Sequence, residues 1–211
     1  MYPLRHIVLV RHGETDGQSS VRFHGASDVD LSAEGVAHMR ALGARLRHVR
    51  LDAVVASPLR RSWRSAQLVG NGAPVRIETD FREIDFGRWE GLTAEEIQAT
   101  DPSLYQDWQS KAPGFEFPNG EPRAAFRARV EAGVQRLVES SGGSALVVVH
   151  KGVIRAIAQA LTGEAQDGDG LELGEMLELH REGQTFVRGR VGSNPPSVDS
   201  NVSLEVQAPA A

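Results

Sequence analysis

Two histidines far apart in this chain each follow a short apolar run. His12 stands in Arg11-His12-Gly13-Glu14-Thr15, directly after Ile7-Val8-Leu9-Val10, and His150 stands in His150-Lys151-Gly152, directly after Leu146-Val147-Val148-Val149. An imidazole with an unperturbed pKa of ~6.5 can serve as nucleophile, proton donor or proton acceptor near neutral pH. Arg11 beside His12, and Arg60-Arg61 after Ser57-Pro58-Leu59, add permanent planar charges suited to anionic oxygens. The segment Arg82-Glu83-Ile84-Asp85-Phe86-Gly87-Arg88-Trp89-Glu90-Gly91 adds carboxyl groups that can hold or release a proton. A nucleophile, cationic forks and a proton donor are what transfer of a phosphoryl group demands.

These residues must be positioned by a scaffold, and the pattern is one of alternating strands and helices. A strand over Ile7–Val10 is followed by a helix over Ser32–Leu46, a strand over Ala53–Ala56, a helix over Pro58–Val69 and a strand near Val75–Ile77. Ser32 is placed to N-cap the first helix, and Ser57-Pro58 to open the next with a capping hydroxyl and a proline at its first position. A longer helix is expected over roughly Glu121–Val138, ended by Ser141-Gly142-Gly143, and then a buried strand over Ala145–Val149. The helix behind that strand is marked by Val153, Ile154, Ile157, Ala158 and Leu161. Met176–His180 and Thr185–Arg190 read as a hairpin at the sheet edge. The fold class is therefore α/β, a three-layer α/β/α sandwich with a mainly parallel sheet, whose working end is where the strands finish.

Residues 81–119 break the alternation and read as a lid or insert, with Thr93-Ala94-Glu95-Glu96 as a capping box and Pro102 starting a further turn or helix. One catalytic domain is expected over 1–192 and a partly ordered tail, rich in proline, serine and alanine, over 193–211. Glu164–Gly170 reads as a loop, because Asp167 and Asp169 lack the remaining ligands of a calcium site.

Composition narrows the function. The chain has 211 residues, 40% hydrophobic and 24% charged, a formal net charge of −5 and no cysteine. The missing thiols remove disulfides and thiolate metal centres, and the negative balance argues against nucleic acid or an anionic membrane as partner. No apolar stretch reaches the ~20 residues of a membrane span, and the run from Ile7 is too short for a secretory segment, so the expected location is the cytoplasm.

In order and context the four blocks resemble the histidine phosphatase superfamily, also called phosphoglycerate-mutase-like, over about Ile7 to Leu161. Arg-His-Gly alone is a weak tripeptide. Followed by Glu-Thr, preceded by a strand and joined by three further blocks in register, it becomes specific. The resemblance implies that His12 is the nucleophile forming a phosphohistidine and that His150, Arg11 and Arg61 stabilise the transferring group. Arg61 rather than Arg60 follows from the family pattern Ser-Pro-Leu-x-Arg, and Glu83 as general acid follows from Glu-x-x-x-Gly ending at Gly87. Asp85 and Glu90 then read as structural, and Glu14 as orienting the first loop.

Substrate-side candidates are Gln18, His24, Gly25 and Lys151. Gln18 departs from the family's usual asparagine, and Lys151 from a common glycine. Trp89, Trp108 and Phe115 read as core before they read as a substrate wall. The implied activity is hydrolysis of small phosphorylated metabolites, with no metal or cofactor in the mechanism, and a homodimer stays open. Two alternatives stand beside it: a cofactor-dependent phosphoglycerate mutase and a non-catalytic phospholigand-binding protein. Against the mutase, Ala94–Asn119 contains only Lys111 as a cation. Against pure binding, neither a nucleophile nor a proton donor would be needed.

Overall fold

The computed structural model describes residues 3–140, 142–164 and 170–189. Six strands form one sheet: β1 (His6–Arg11), β2 (Ala53–Ala56), β3 (Val75–Ile77), β4 (Ser144–Val149), β5 (Met176–Glu182) and β6 (Thr185–Arg188), in the order β3-β2-β4-β1-β5-β6. The first four pair in parallel, while β5 and β6 are antiparallel additions at one edge. Four helices flank the sheet: α1 (Ala33–Leu46), α2 (Arg60–Val69), α5 (Arg123–Ser140) and α6 (Lys151–Thr162). Two shorter ones, α3 (Ala94–Thr100) and α4 (Pro102–Gln109), lie between β3 and α5.

Period-two alternation divides the sheet's side chains between two cores. Ile7 and Leu9 join Val147, Val149 and Leu179 in packing against Val130, Leu137, Ile154 and Ile157 of α5 and α6. Val8 and Val10 face the other way, with Val54, Leu146 and Val148, onto Met39, Leu42, Ala66 and Val69 of α1 and α2. The unbroken apolar runs thus belong to strands covered on both faces, as a parallel sheet requires. Each such side chain contributes about 1.5–3 kcal/mol by leaving water.

The caps follow local chemistry. Ser32 Oγ accepts from the Gly35 N–H at the start of α1, Thr93 and Glu96 form a reciprocal capping box on α3, and α6 stops at Gly163 with φ +76°. One expected start is corrected. α2 begins at Arg60, with Leu59 rather than Ser57 at its N-cap and no side-chain cap bond. Ser57 is committed elsewhere. The long helix also lies two residues further on than expected, at Arg123–Ser140.

The segment between β3 and α5 has its own aromatic core. Trp89, Ile97, Tyr105 and Phe115 are buried together, with Phe23 and Trp108 half-buried against them. Trp89 and Phe115 are therefore packing residues. The expected tail over 193–211, the Asp167-Asp169 loop and the end residues Ser141 and Arg190 lie outside the described residues. Among the described residues no helix is long and apolar enough to cross a membrane.

Candidate active site

The parallel register brings the two histidines together. Arg11, the last residue of β1, pairs with Val149, the last of β4, so the chain positions that follow, His12 and His150, leave the sheet side by side. Their rings meet edge-on with centroids 5.1 Å apart, and both are buried.

His12 is held in a defined tautomer. Its backbone N–H donates to the Val149 carbonyl at 3.0 Å, and its Nδ1 lies 2.8 Å from the carbonyl oxygen of Gly13. A carbonyl only accepts, so Nδ1 carries the proton and Nε2 keeps its lone pair. Burial, and next the charge of Arg61, hold the His12 pKa well below its ordinary value of 6.5. The same two causes, in the same order, lower His150. Both imidazoles are neutral at pH 7.

Buried serines brace this pair. Ser57 Oγ lies 2.7 Å from His150 Nε2, and Ser57 N–H donates to Ser62 Oγ at 3.1 Å. The Ser62 hydroxyl in turn donates to the Val148 carbonyl at 2.6 Å, and Gly13 N–H donates to Ser65 Oγ at 3.2 Å. Sequence reasoning passed over Ser62 and Ser65, whose position on the inner face of α2 carried no catalytic signature.

Arg61 is fully buried, and burial lowers its pKa to about 10, so it stays charged. Its Nη1 donates to the Ser27 carbonyl at 2.6 Å, and its Nη2 to the carbonyls of His24 and Gly25 at 2.9 and 2.8 Å. Its buried Nε has no hydrogen-bond partner. Arg11 donates from Nη1 to the Leu171 carbonyl at 3.0 Å, and its Nε is likewise buried and unpaired. Arg60, by contrast, is exposed and pairs with Asp28, and Arg64 pairs with Asp30.

Glu83 is buried as well. Its Oε2 accepts from the Gly152 N–H and its Oε1 from the Ile84 N–H, each at 3.0 Å. Burial raises its pKa above the usual carboxylate value, against the opposing pull of those N–H groups and of Arg61 and Arg11. Arg129 fixes the segment that carries Glu83, donating to the carbonyls of Asp80, Arg82 and Glu83 while pairing with Glu121 through two bonds of 2.7 Å. Sequence reasoning missed Arg129, because a helix periodicity argument weighs only the apolar positions of α5.

The substrate-side residues divide. His24 donates from Nε2 to the Gly17 carbonyl at 2.6 Å, and its Nδ1 is buried without a partner. Gly25 is needed for close approach, since a Cβ there would fall 1.9 Å from the Ile84 carbonyl oxygen. Glu90 receives the N–H groups of Gly25, Ala26, Ser27 and Phe86, a structural role of the kind its sequence position suggested. Gln18 is exposed in a tight turn at φ +59°, a left-handed conformation that asparagine adopts more readily than glutamine. Lys151 opens α6, and with Arg155 it flanks Gly170. Near these residues, Arg22 donates to the Gly91 carbonyl and to Glu96.

Comparison with known proteins places the chain in a family. The family model described as "Histidine phosphatase superfamily (branch 1)" matches residues 7–185. The chain is 35% identical over 162 residues to the adenosylcobalamin/alpha-ribazole phosphatase of Salmonella typhimurium, covering 73% of this chain and 78% of that protein. It is 34% identical over 172 residues to the glucosyl-3-phosphoglycerate phosphatase of Mycobacterium tuberculosis, covering 74% and 75%. The solved structure of a mycobacterial glucosyl-3-phosphoglycerate phosphatase in complex with VO3 superposes with a TM-score of 0.78 at 29% identity, covering 88% of this chain and 97% of that one. The chain belongs to the histidine phosphatase superfamily, branch 1.

Proposed function

We propose that the protein hydrolyses the phosphomonoesters of small metabolites through a phosphohistidine on His12. The observation that carries this reading is the His12 tautomer: the Gly13 carbonyl fixes the proton on Nδ1, so a neutral Nε2 lone pair stands beside His150. Nε2 attacks phosphorus as the ester P–O bond breaks, and protonated Glu83 gives its proton to the departing alkoxide. Water then attacks phosphorus while the Glu83 carboxylate takes its proton. The P–N bond breaks, its electron pair returns to Nε2, and inorganic phosphate leaves.

The burial that raises Glu83 supports its resting protonated form, as a general acid requires. Arg11 and Arg61 offer their buried Nε–H groups to the equatorial oxygens. Neutral imidazole carries a single N–H. With the Ser57 hydroxyl donating to Nε2, that N–H sits on Nδ1 of His150, which is buried, unpaired and available to the phosphoryl group. No step calls on a metal or a cofactor. His24, Gly25 and Lys151 contact the substrate in this reading, with Gln18 at its outer edge.

Hydrolysis is preferred to return of the phosphoryl group to substrate because the segment beside the pocket is aromatic, with Lys111 as its only cation over 94–119. The phosphatase names of the relatives, and the small phosphorylated compounds two of them carry in those names, support the same class of substrate. The cysteine-free composition is in keeping with work in the reducing cytoplasm. A phosphate-release screen of sugar phosphates, nucleotides, phosphoglycerates and phosphoserine tests the proposal, with His12→Ala as control. Release from at least one class, abolished in the variant, is expected. Equal release by both proteins overturns the nucleophile, and 3- to 2-phosphoglycerate transfer faster than hydrolysis overturns the reaction.

A further inference from the structure

At the opposite end of β1 from His12, a second constellation has no part in phosphoryl transfer. His6 opens β1 and pairs in antiparallel register with His180 of β5, while Glu178 pairs with Val8. Residues two apart on a strand share a face, so His6, Glu178 and His180 project together from the same side of the sheet. The two imidazoles stack with centroids 4.5 Å apart and planes 3° from parallel. Each Nε2 is buried without a hydrogen-bond partner.

The shared neighbour of those nitrogens is one carboxylate oxygen. Glu178 Oε2 lies 3.5 Å from His6 Nε2 and 3.6 Å from His180 Nε2. That is longer than an N–H···O bond, which centres near ~2.9–3.0 Å. It is close to the spacing of about 3.4 Å between neighbouring ligands around a tetrahedral ion with bonds of ~2.0–2.1 Å. One ligand atom from each of the three residues lies within 4.8 Å of the other two. Each side chain keeps between 13% and 20% of its surface exposed while the two Nε2 atoms are buried, so an ion, with a water as fourth ligand, gains access as the rings turn outward.

We propose that His6, Glu178 and His180 form a binding site for a borderline divalent transition ion of the zinc class, which clamps β5 to β1. Two imidazoles and one carboxylate suit such an ion, whereas Mg2+ and Ca2+ prefer all-oxygen sets. The six steps along the chain from His6 to His12 span about 20 Å of extended strand, so the ion is structural and leaves the phosphate pocket alone. The rings now stand parallel, so binding requires at least one imidazole to rotate until both Nε2 lone pairs converge on a common point.

The test uses full-length, tag-free protein stripped of metal, titrated with Zn2+ alone by calorimetry and followed by thermal unfolding. One equivalent should bind and raise the melting temperature by several degrees, with no such rise in Mg2+. His6→Gln, Glu178→Gln and His180→Gln should each weaken binding by about tenfold or more, with an unchanged circular dichroism spectrum and unchanged phosphate release. His12→Gln should bind Zn2+ like the wild type, which separates this site from the His12–His150 pair. In wild type, Co2+ should develop the visible bands of a tetrahedral site, absent in His180→Gln. Undiminished Zn2+ affinity in the three variants, binding lost only in His12→Gln, or no binding by the wild type overturns the proposal.

Discussion

The Ser57 hydroxyl stands 2.7 Å from Nε2 of His150, joining the end of β2 to the end of β4. In the proposed reaction the hydroxyl donates along this contact, which leaves the His150 proton on Nδ1. Ser57→Ala removes the selection without touching the reacting atoms, so kcat should fall about tenfold, equal to ~1.4 kcal/mol, with KM little altered. Ser57→Thr, which keeps a hydroxyl, should recover most of it. Steady-state kinetics on a saturating substrate decide the matter; an unchanged kcat in Ser57→Ala would leave the serine with a packing role only.

Glu83 is assigned proton donation to the leaving oxygen. Glu83→Gln keeps the shape and loses the proton, so it should slow alkyl phosphates far more than aryl esters whose alcohols leave unaided. A drop of about a hundredfold is expected for the former, in line with the 10²–10⁴-fold worth of general acid catalysis. Because burial raises the Glu83 pKa, the alkaline limb of the wild-type kcat profile should reflect its deprotonation and vanish in the variant. Equal losses of kcat/KM, which reports the steps up to release of the alcohol, on both ester classes would remove Glu83 from this role.

The scaffold was legible in sequence because hydrophobic period and helix caps are local signals. The runs Ile7–Val10 and Leu146–Val149 became β1 and β4, side by side, and Thr93 with Glu96 made its capping box. Ser57 shows where local reasoning ends. A serine before proline is a sound capping motif, yet its hydroxyl is taken by a histidine distant in the chain, and the helix starts at Arg60 instead. Arg129 and Ser62 were invisible for the same reason: each serves backbone carbonyls of other elements, which no spacing within its own helix can reveal. The paired imidazoles His6 and His180 depend on antiparallel register between β1 and β5, a pairing set by the whole sheet.

Stability should fall as the solution is made acidic. The folded-state pKa values of His12 and His150 lie well below 6.5, so below that pH the unfolded chain takes up protons that the folded protein resists. The stabilisation they confer is present above pH 6.5 and is lost as pH falls toward their folded values. Glu83 acts in the opposite sense, since its raised pKa favours the folded state most at low pH and less as pH rises through its folded value. Urea midpoints measured from pH 7.5 to 5 should therefore decline for the wild type and decline less for His150→Asn. Parallel curves would show that His150 does not resist protonation in the folded protein.

Gly152, the second residue of α6, should prove essential for a reason unrelated to helix formation. Its N–H donates to Glu83 Oε2, and a Cβ at this position would stand 2.5 Å from Glu83 Oε1. Alanine is ordinarily favoured over glycine within a helix by about 0.5–1 kcal/mol, so helix propensity alone predicts a neutral or stabilising change. The added methyl must instead push the carboxyl away from the leaving oxygen, and misplacement by 1 Å can cost about a hundredfold in rate. Gly152→Ala should accordingly melt near the wild-type temperature while reproducing the Glu83→Gln phenotype, with alkyl esters slowed more than aryl esters. Near wild-type turnover of alkyl phosphates by this variant would mean that Glu83 tolerates displacement, which is incompatible with a positioned proton donor.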